Sequence, residues 1–161
     1  MSESLDPGSR AFARMLDRFV QTGFIRGLDT RARRRLAAAA QTGSPAERDA
    51  LLRGAEEHAR AILREGTLWG DPLGAMVRAG AAATRGETEA ALRFLASAEA
   101  GFTAASMALH AAAARRRRGE LMGGDAGREL TAGADAWMIG QSVKAPQRMA
   151  AVLAPGRWPS S

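Results

Sequence analysis

Few residues in this chain could do chemistry. His58 and His110 are the only imidazoles, and there is no cysteine. The sequence therefore offers no thiol nucleophile, disulfide or thiolate metal ligand, and a zinc site would need carboxylates to complete it. The carboxylate pairs Glu47/Asp49 and Glu56/Glu57 read as a solvated helix face rather than a general acid–base pair, and the serines have no base partner in view. GGDAG at 123–127 is glycine-rich but lacks the lysine and spacing of a phosphate loop, so it reads as a helix–helix turn. The sequence predicts no enzyme, with no catalytic residues, no cofactor and no metal.

Arginine supplies the candidates for a positive function. Net charge is +6 over 161 residues, which favours acidic partners. Two clusters stand out: Arg31, Arg33, Arg34 and Arg35, then Arg115, Arg116, Arg117 and Arg118. At a helix C-terminus, the second cluster would serve the orphan carbonyls and the negative end of the macrodipole. The functional alternative is contact between either cluster and an acidic segment of a protein, or phosphate backbone, although no aromatic interleaving accompanies the charge.

The elements that must position these residues are helical. Apolar residues make up 46% of the chain but aromatics only 5%, so the core must form by close helix approach, and Ala, Leu, Arg and Glu favour helix. Spacing predicts a helix over 9–22 with Phe12, Met15, Leu16, Phe19 and Val20 on one buried face, ended by Gly23, and a second over 27–41. Ser44-Pro45-Ala46-Glu47 combines an N-cap, proline at the first helical position and a capping-box glutamate, opening a helix to about Glu65. Asp71-Pro72 opens the next, with Gly80 on its apolar stripe admitting a neighbour and Gly86 as its stop. Leu92, Leu95, Ala98 and Phe102 mark its antiparallel partner. Further helices are expected over 103–118 and 125–141, for about seven in all, before a short final one from Pro146 to Val152. Met76, Val77, Gly80 and Gly86 recur, shifted, at Leu109, His110, Ala113 and Gly119, and Leu92 and Ala98 at Leu130 and Ala136, with ELMGG as an enlarged loop. Such self-similarity predicts stacked helix-turn-helix repeats. The expected organisation is an all-α antiparallel array: a flexible 1–8, one domain over 9–154 divided into 9–66 and 71–154, and a loose tail over 155–161 whose Trp158 could fold back.

GETEAALRFLASAEAGF resembles the second half of a tetratricopeptide repeat, with Gly86 in the turn, Ala91 and Ala98 at small positions and Leu95 at the large one. Arg78 and Ala82 depart from the pattern in the preceding helix, as do Glu129 and Gly133 in the next unit, so the repeat is divergent. A longer stretch, from about Leu68 to Gly156, is similar to the C-terminal helical tail of large serine/threonine protein kinases from myxobacteria and their relatives. It is carried by LWGDPLGAMVRAGAAATRGETEAALRFLASAEAGF, MALHAAAARRRRGELMGGDAGREL, ADAWM and APQRMAAVLAPG. The resemblance implies a repeat-like scaffold in a signalling system without kinase activity, because the kinase's own glycine-rich loop, strand lysine, HRD and DFG segments do not occur here.

Two functions follow as expectations. The first is a cytoplasmic protein–protein interaction or scaffold module taking an acidic or helical segment; the second is a basic helical protein that binds nucleic acid through the arginine clusters. With no signal segment and no apolar run long enough to cross a bilayer, no membrane role is expected. A repeat stack detached from a preceding domain would expose an apolar face, which helix 9–22 could cap or use to pair with another copy; the oligomeric state stays open.

Overall fold

Seven α-helices and no strand make up the regular structure of residues 7–159, the part that this computed structural model describes. They are α1 (Pro7–Gln41), α2 (Pro45–Arg64), α3 (Gly70–Arg85), α4 (Thr88–Ala104), α5 (Ala108–Met122), α6 (Gly124–Gly140) and α7 (Pro146–Leu153). Each of α1 to α6 packs on the next, α1 also reaches α3, and α7 packs on α5 and α6 while its Val152 carbonyl accepts from Arg33 of α1. This is a stack of helical hairpins in which contacts run between neighbours.

The local chemistry explains most boundaries. Ser44 caps α2 by accepting from the Glu47 amide (3.3 Å). The Glu47 carboxylate takes the Thr42 hydroxyl instead of reaching back to the capping residue, and that hydroxyl accepts from the Ser44 amide (3.2 Å). At the start of α3, Thr67 supplies the cap expected of Asp71: its hydroxyl accepts from the Gly70 amide at 3.1 Å. Gly86 ends α3 in the left-handed region (φ 82°), where glycine carries no Cβ penalty.

Three boundaries differ from expectation. The separate helices 9–22 and 27–41 are one continuous α1. A glycine in a helix costs about 1 kcal/mol against alanine, but residues 23–28 hold no Ser, Thr, Asp or Asn able to cap a new helix, and Ile25, Leu28, Ala32 and Leu36 bury the segment that follows. The helix expected from Thr103 begins at Ala108, because α4 continues to Ala104 and turns through Ser106 (φ 58°). Arg118-Gly119 does not end α5. ELMGG is mostly helix and the turn into α6 shrinks to Gly123. Gly119 serves packing instead: a Cβ there would come within 2.6 Å of the Gly127 carbonyl on α6.

The core is divided into clusters shared between the hairpins. Ile25, Ile62, Leu73, Met76, Leu95 and Phe102 form one cluster, and Leu36, Leu52, Ala55, Ala59 and Val77 another. In α4 the tetratricopeptide-like positions Ala91, Leu95 and Ala98 are fully buried, and Arg78, a departure from that pattern, stacks its guanidinium 4.4 Å over the Phe94 ring. The echo in α6 differs from the expected register: Leu130 is half-buried and Ala136 exposed, whereas Ala134 and Met138 are buried. Those two lie 36 residues beyond Ala98 and Phe102, which are buried in α4.

The C-terminal segment is docked, not loose. The Pro155 carbonyl lies where a Cβ on Gly80 would be, 2.4 Å from it, so Gly80 admits this segment beside Leu36 of α1. The Arg157 amide donates to the Thr84 hydroxyl (3.1 Å), and the Trp158 indole N–H donates to the Ala154 carbonyl (2.9 Å). Residues 1–6 of the expected flexible N-terminus, and residues 160 and 161, lie outside the described part.

Candidate partner-binding site

The two arginine clusters have opposite fates. Arg116 and Arg117 are buried, with side chains 5% and 8% exposed, and share the carboxylate of Glu120 one turn ahead. Arg116 also pairs through Nε with Asp135 of α6 (2.7 Å), while Arg117 donates to the Ala154 carbonyl (3.2 Å) and lies 5.3 Å from the Trp158 ring. Burial pushes the Arg117 pKa down, against the upward pull of Glu120. Arg115 and Arg118 pair with Glu99 of α4, at 2.8 and 3.0 Å. All four therefore tie α5 to its neighbours. They do so from within α5, not from the helix terminus where the sequence set them.

In the first cluster, α1 splits the residues between two faces. Arg33 points with Asp29, pairing through Nε at 2.9 Å, and donates to the Val152 carbonyl of α7 (3.1 Å). Arg31, Arg34 and Arg35 are exposed and have no ion pair among the described residues. They line a cleft of about 340 Å³ between α1 and α2 together with Ala38, Leu51 and His58. Gly54 makes room for one of them: a Cβ there would fall 1.4 Å from Nη1 of Arg35. Within this cleft, Nε2 of His58 is sealed from solvent and has no hydrogen-bond partner among the described residues. Burial lowers the His58 pKa first, and the charges of Arg35 and Arg31 lower it further. The cleft combines converging cations, an apolar floor and an imidazole whose pKa is held down by burial and, secondarily, by their field, an arrangement that an anionic group would offset.

A second, larger concavity of about 760 Å³ lies on the other side of α1, where Arg26, Asp29 and Arg33 face Trp69, Met107 and His110. Here the cations are partly balanced. Asp29 is nearly buried, and burial raises its pKa against the pull of Arg33. His110 lies against Phe102 with ring centroids 5.1 Å apart and the planes tilted by 42°, and its pKa is lowered by burial, then by Arg33 and Arg26. Among the described residues neither histidine has a hydrogen-bonded carboxylate or hydroxyl, and no group of three His, Asp or Glu could hold a metal ion. No helix there is long and apolar enough to cross a membrane.

The chain matches no family model, no curated protein and no solved structure. Its site must be argued from geometry.

Sequence reasoning missed His58 and Gly54 as parts of the cleft. The one available signal was the helical offset between Arg31 and Arg35, four residues apart and so on one face of α1, with Arg33 turned away from it.

Proposed function

We propose that this chain is a non-catalytic protein-interaction module whose α1–α2 cleft takes an acidic segment of a partner protein. The observation that carries the reading is that Arg31, Arg34 and Arg35 line one cleft with no ion-paired carboxylate among the described residues, while Arg115, Arg116, Arg117 and Arg118 are held by Glu99, Glu120 and Asp135. Uncompensated guanidinium groups beside an apolar floor suit a carboxylate-bearing helix or strand, which they can grip bidentately. The hairpin stack supports the same role, since such arrays present extended binding surfaces. The resemblance of residues 68–156 to kinase tails suggests a bacterial signalling system in the cytoplasm as the setting.

Duplex nucleic acid is the competing partner. It is less favoured because five of the eight clustered arginines, Arg33 and Arg115 to Arg118, are committed internally, and the three that remain span about one helical turn, too short to follow a phosphate backbone. A fluorescent glutamate-rich peptide and a labelled DNA duplex, each titrated at low and physiological salt, separate the two. Peptide binding in the micromolar range that Arg31→Ala/Arg34→Ala/Arg35→Ala abolishes supports the proposal. Duplex binding that exceeds peptide binding and falls steeply with salt would replace it.

A further inference from the structure

The first part of α1 projects past its own bundle. Gln21 donates to Glu65 (3.1 Å) where α2 ends alongside α1, and residues 8–20 are all exposed, roughly 20 Å of helix at 1.5 Å per residue. The apolar face expected there to be buried is bare: Phe12 is 58% exposed, Met15 57%, Leu16 45%, Phe19 78%, Val20 68% and Phe24 51%. Together they leave on the order of 700 Å² uncovered, more than the largest apolar patch of an ordinary monomer.

The direction of this face is informative. At about 100° per residue, Phe12, Leu16, Phe19 and Val20 lie roughly opposite the side of α1 that carries Ile25, Leu28, Ala32 and Leu36 into the core. The side of the overhang continuous with the core carries Arg10, Arg14 and Arg18 instead. The apolar stripe thus crosses to the far side of α1 as the helix leaves the bundle, and a molecule seated on it meets neither the bundle nor those arginines.

Two glycines lie along the same stripe. Gly23 and Gly27 sit within a continuous helix, and a Cβ on either would meet nothing within 4 Å. Packing among the described residues does not account for them, yet each lowers helix stability by about 1 kcal/mol. Close approach of an outside helix would account for both. A lipid surface would gain nothing from them.

We infer that α1 pairs antiparallel with α1 of a second copy through this stripe. The spacing is self-complementary. Phe12 and Leu16 are four residues apart, as are Gly23 and Gly27, and one two-fold register sets Phe12 over Gly27 and Leu16 over Gly23 of the other copy, with Phe19 against Val20 at the axis. Two-fold contacts require this reciprocity of large residue and hole. Mating the two faces buries on the order of 1,200 Å², the lower end of a stable specific interface, so a dimer forming at micromolar concentration follows. This goes beyond acidic-segment binding and does not depend on it, because the cleft residues take no part.

Sedimentation equilibrium of the full chain tests the inference, together with a thiol probe that the cysteine-free background makes clean. The expected mass at tens of micromolar is twice the 16.9 kDa of the chain. Phe19→Glu should weaken association by about 30-fold or more, and Gly27→Leu should weaken it while leaving helicity equal or higher. Val20→Cys should oxidise rapidly to a covalent dimer, and Arg14→Cys on the opposite face should not. A chain that stays at 16.9 kDa at hundreds of micromolar, a dimer indifferent to Phe19→Glu and Gly27→Leu, or Arg14→Cys crosslinking as fast as Val20→Cys would each overturn it. So would overhang-dependent binding to anionic vesicles by a monomeric chain.

Discussion

Replacing Glu120 with glutamine keeps the shape of the side chain and removes the carboxylate that Arg116 and Arg117 share. Glu120 is 3% exposed, and its two arginine partners are 5% and 8% exposed, so none of the three charges can turn to water when the pairing is lost. Arg116 retains Asp135, whereas Arg117 is left with the Ala154 carbonyl and the Trp158 ring. Breaking a buried pair from one side costs about 3–5 kcal/mol, and the surviving Asp135 contact places this variant at the low end, about 3 kcal/mol. For a chain of this length that is a fall in Tm of about 6–12 °C. Urea denaturation at pH 7 measures it against Glu57→Gln, an exposed control that should change stability by less than about 0.5 kcal/mol. A Glu120→Gln cost no larger than the control's would mean that the arginines of α5 are solvated, and the division between structural and partner-binding clusters would fail.

Gly80→Ala should destabilise by about 1–3 kcal/mol in the same assay despite the better helix propensity of alanine, because the new Cβ meets the Pro155 carbonyl; a stabilised variant would show that the C-terminal segment is not docked there. The histidines set a pH dependence. Both His58 and His110 are held below 6.5 in the folded chain, chiefly by burial, so the unfolded chain takes up protons first as pH falls. Their contribution to stability is full above pH 6.5 and is lost as pH drops through the folded values. Asp29, with its carboxyl raised from 3.8 by burial, acts in the opposite sense, favouring the fold at low pH. The histidine part is therefore read as the difference between the chain and His58→Gln/His110→Gln, which should be less sensitive to acidification from pH 7.5 to 5.5.

Signals contained within a few residues were legible in the sequence. Ser44-Pro45 opened α2, Gly86 closed α3, and the stripe through Leu95, Ala98 and Phe102 marked the buried face of α4. What depended on distant partners was not. Whether Arg115, Arg116 and Arg118 are spent or available turns on Glu99 and Asp135, 16 residues before Arg115 and 19 after Arg116, and no local pattern shows that those carboxylates come within reach; only Glu120, three residues after Arg117, lay within local range. The stripe at residues 12–20 has the same limit. Its periodicity marks an amphipathic helix, but what covers that face depends on where α2 ends. Gly23 and Gly119 read as stops because glycine commonly is one; each lies inside a helix, Gly23 where the following residues offer no cap and Gly119 where α6 crosses closely.

The most direct measurement of the central claim is the titration of His58 by NMR with and without a saturating glutamate-rich peptide. The positive field of Arg35 and Arg31 helps hold the His58 pKa down, so an acidic segment seated on those arginines should move it upward while His110, on the opposite side of α1, stays unchanged. Peptide binding that leaves the His58 titration where it was, or shifts His110 instead, would contradict the assignment of the α1–α2 cleft as the binding site.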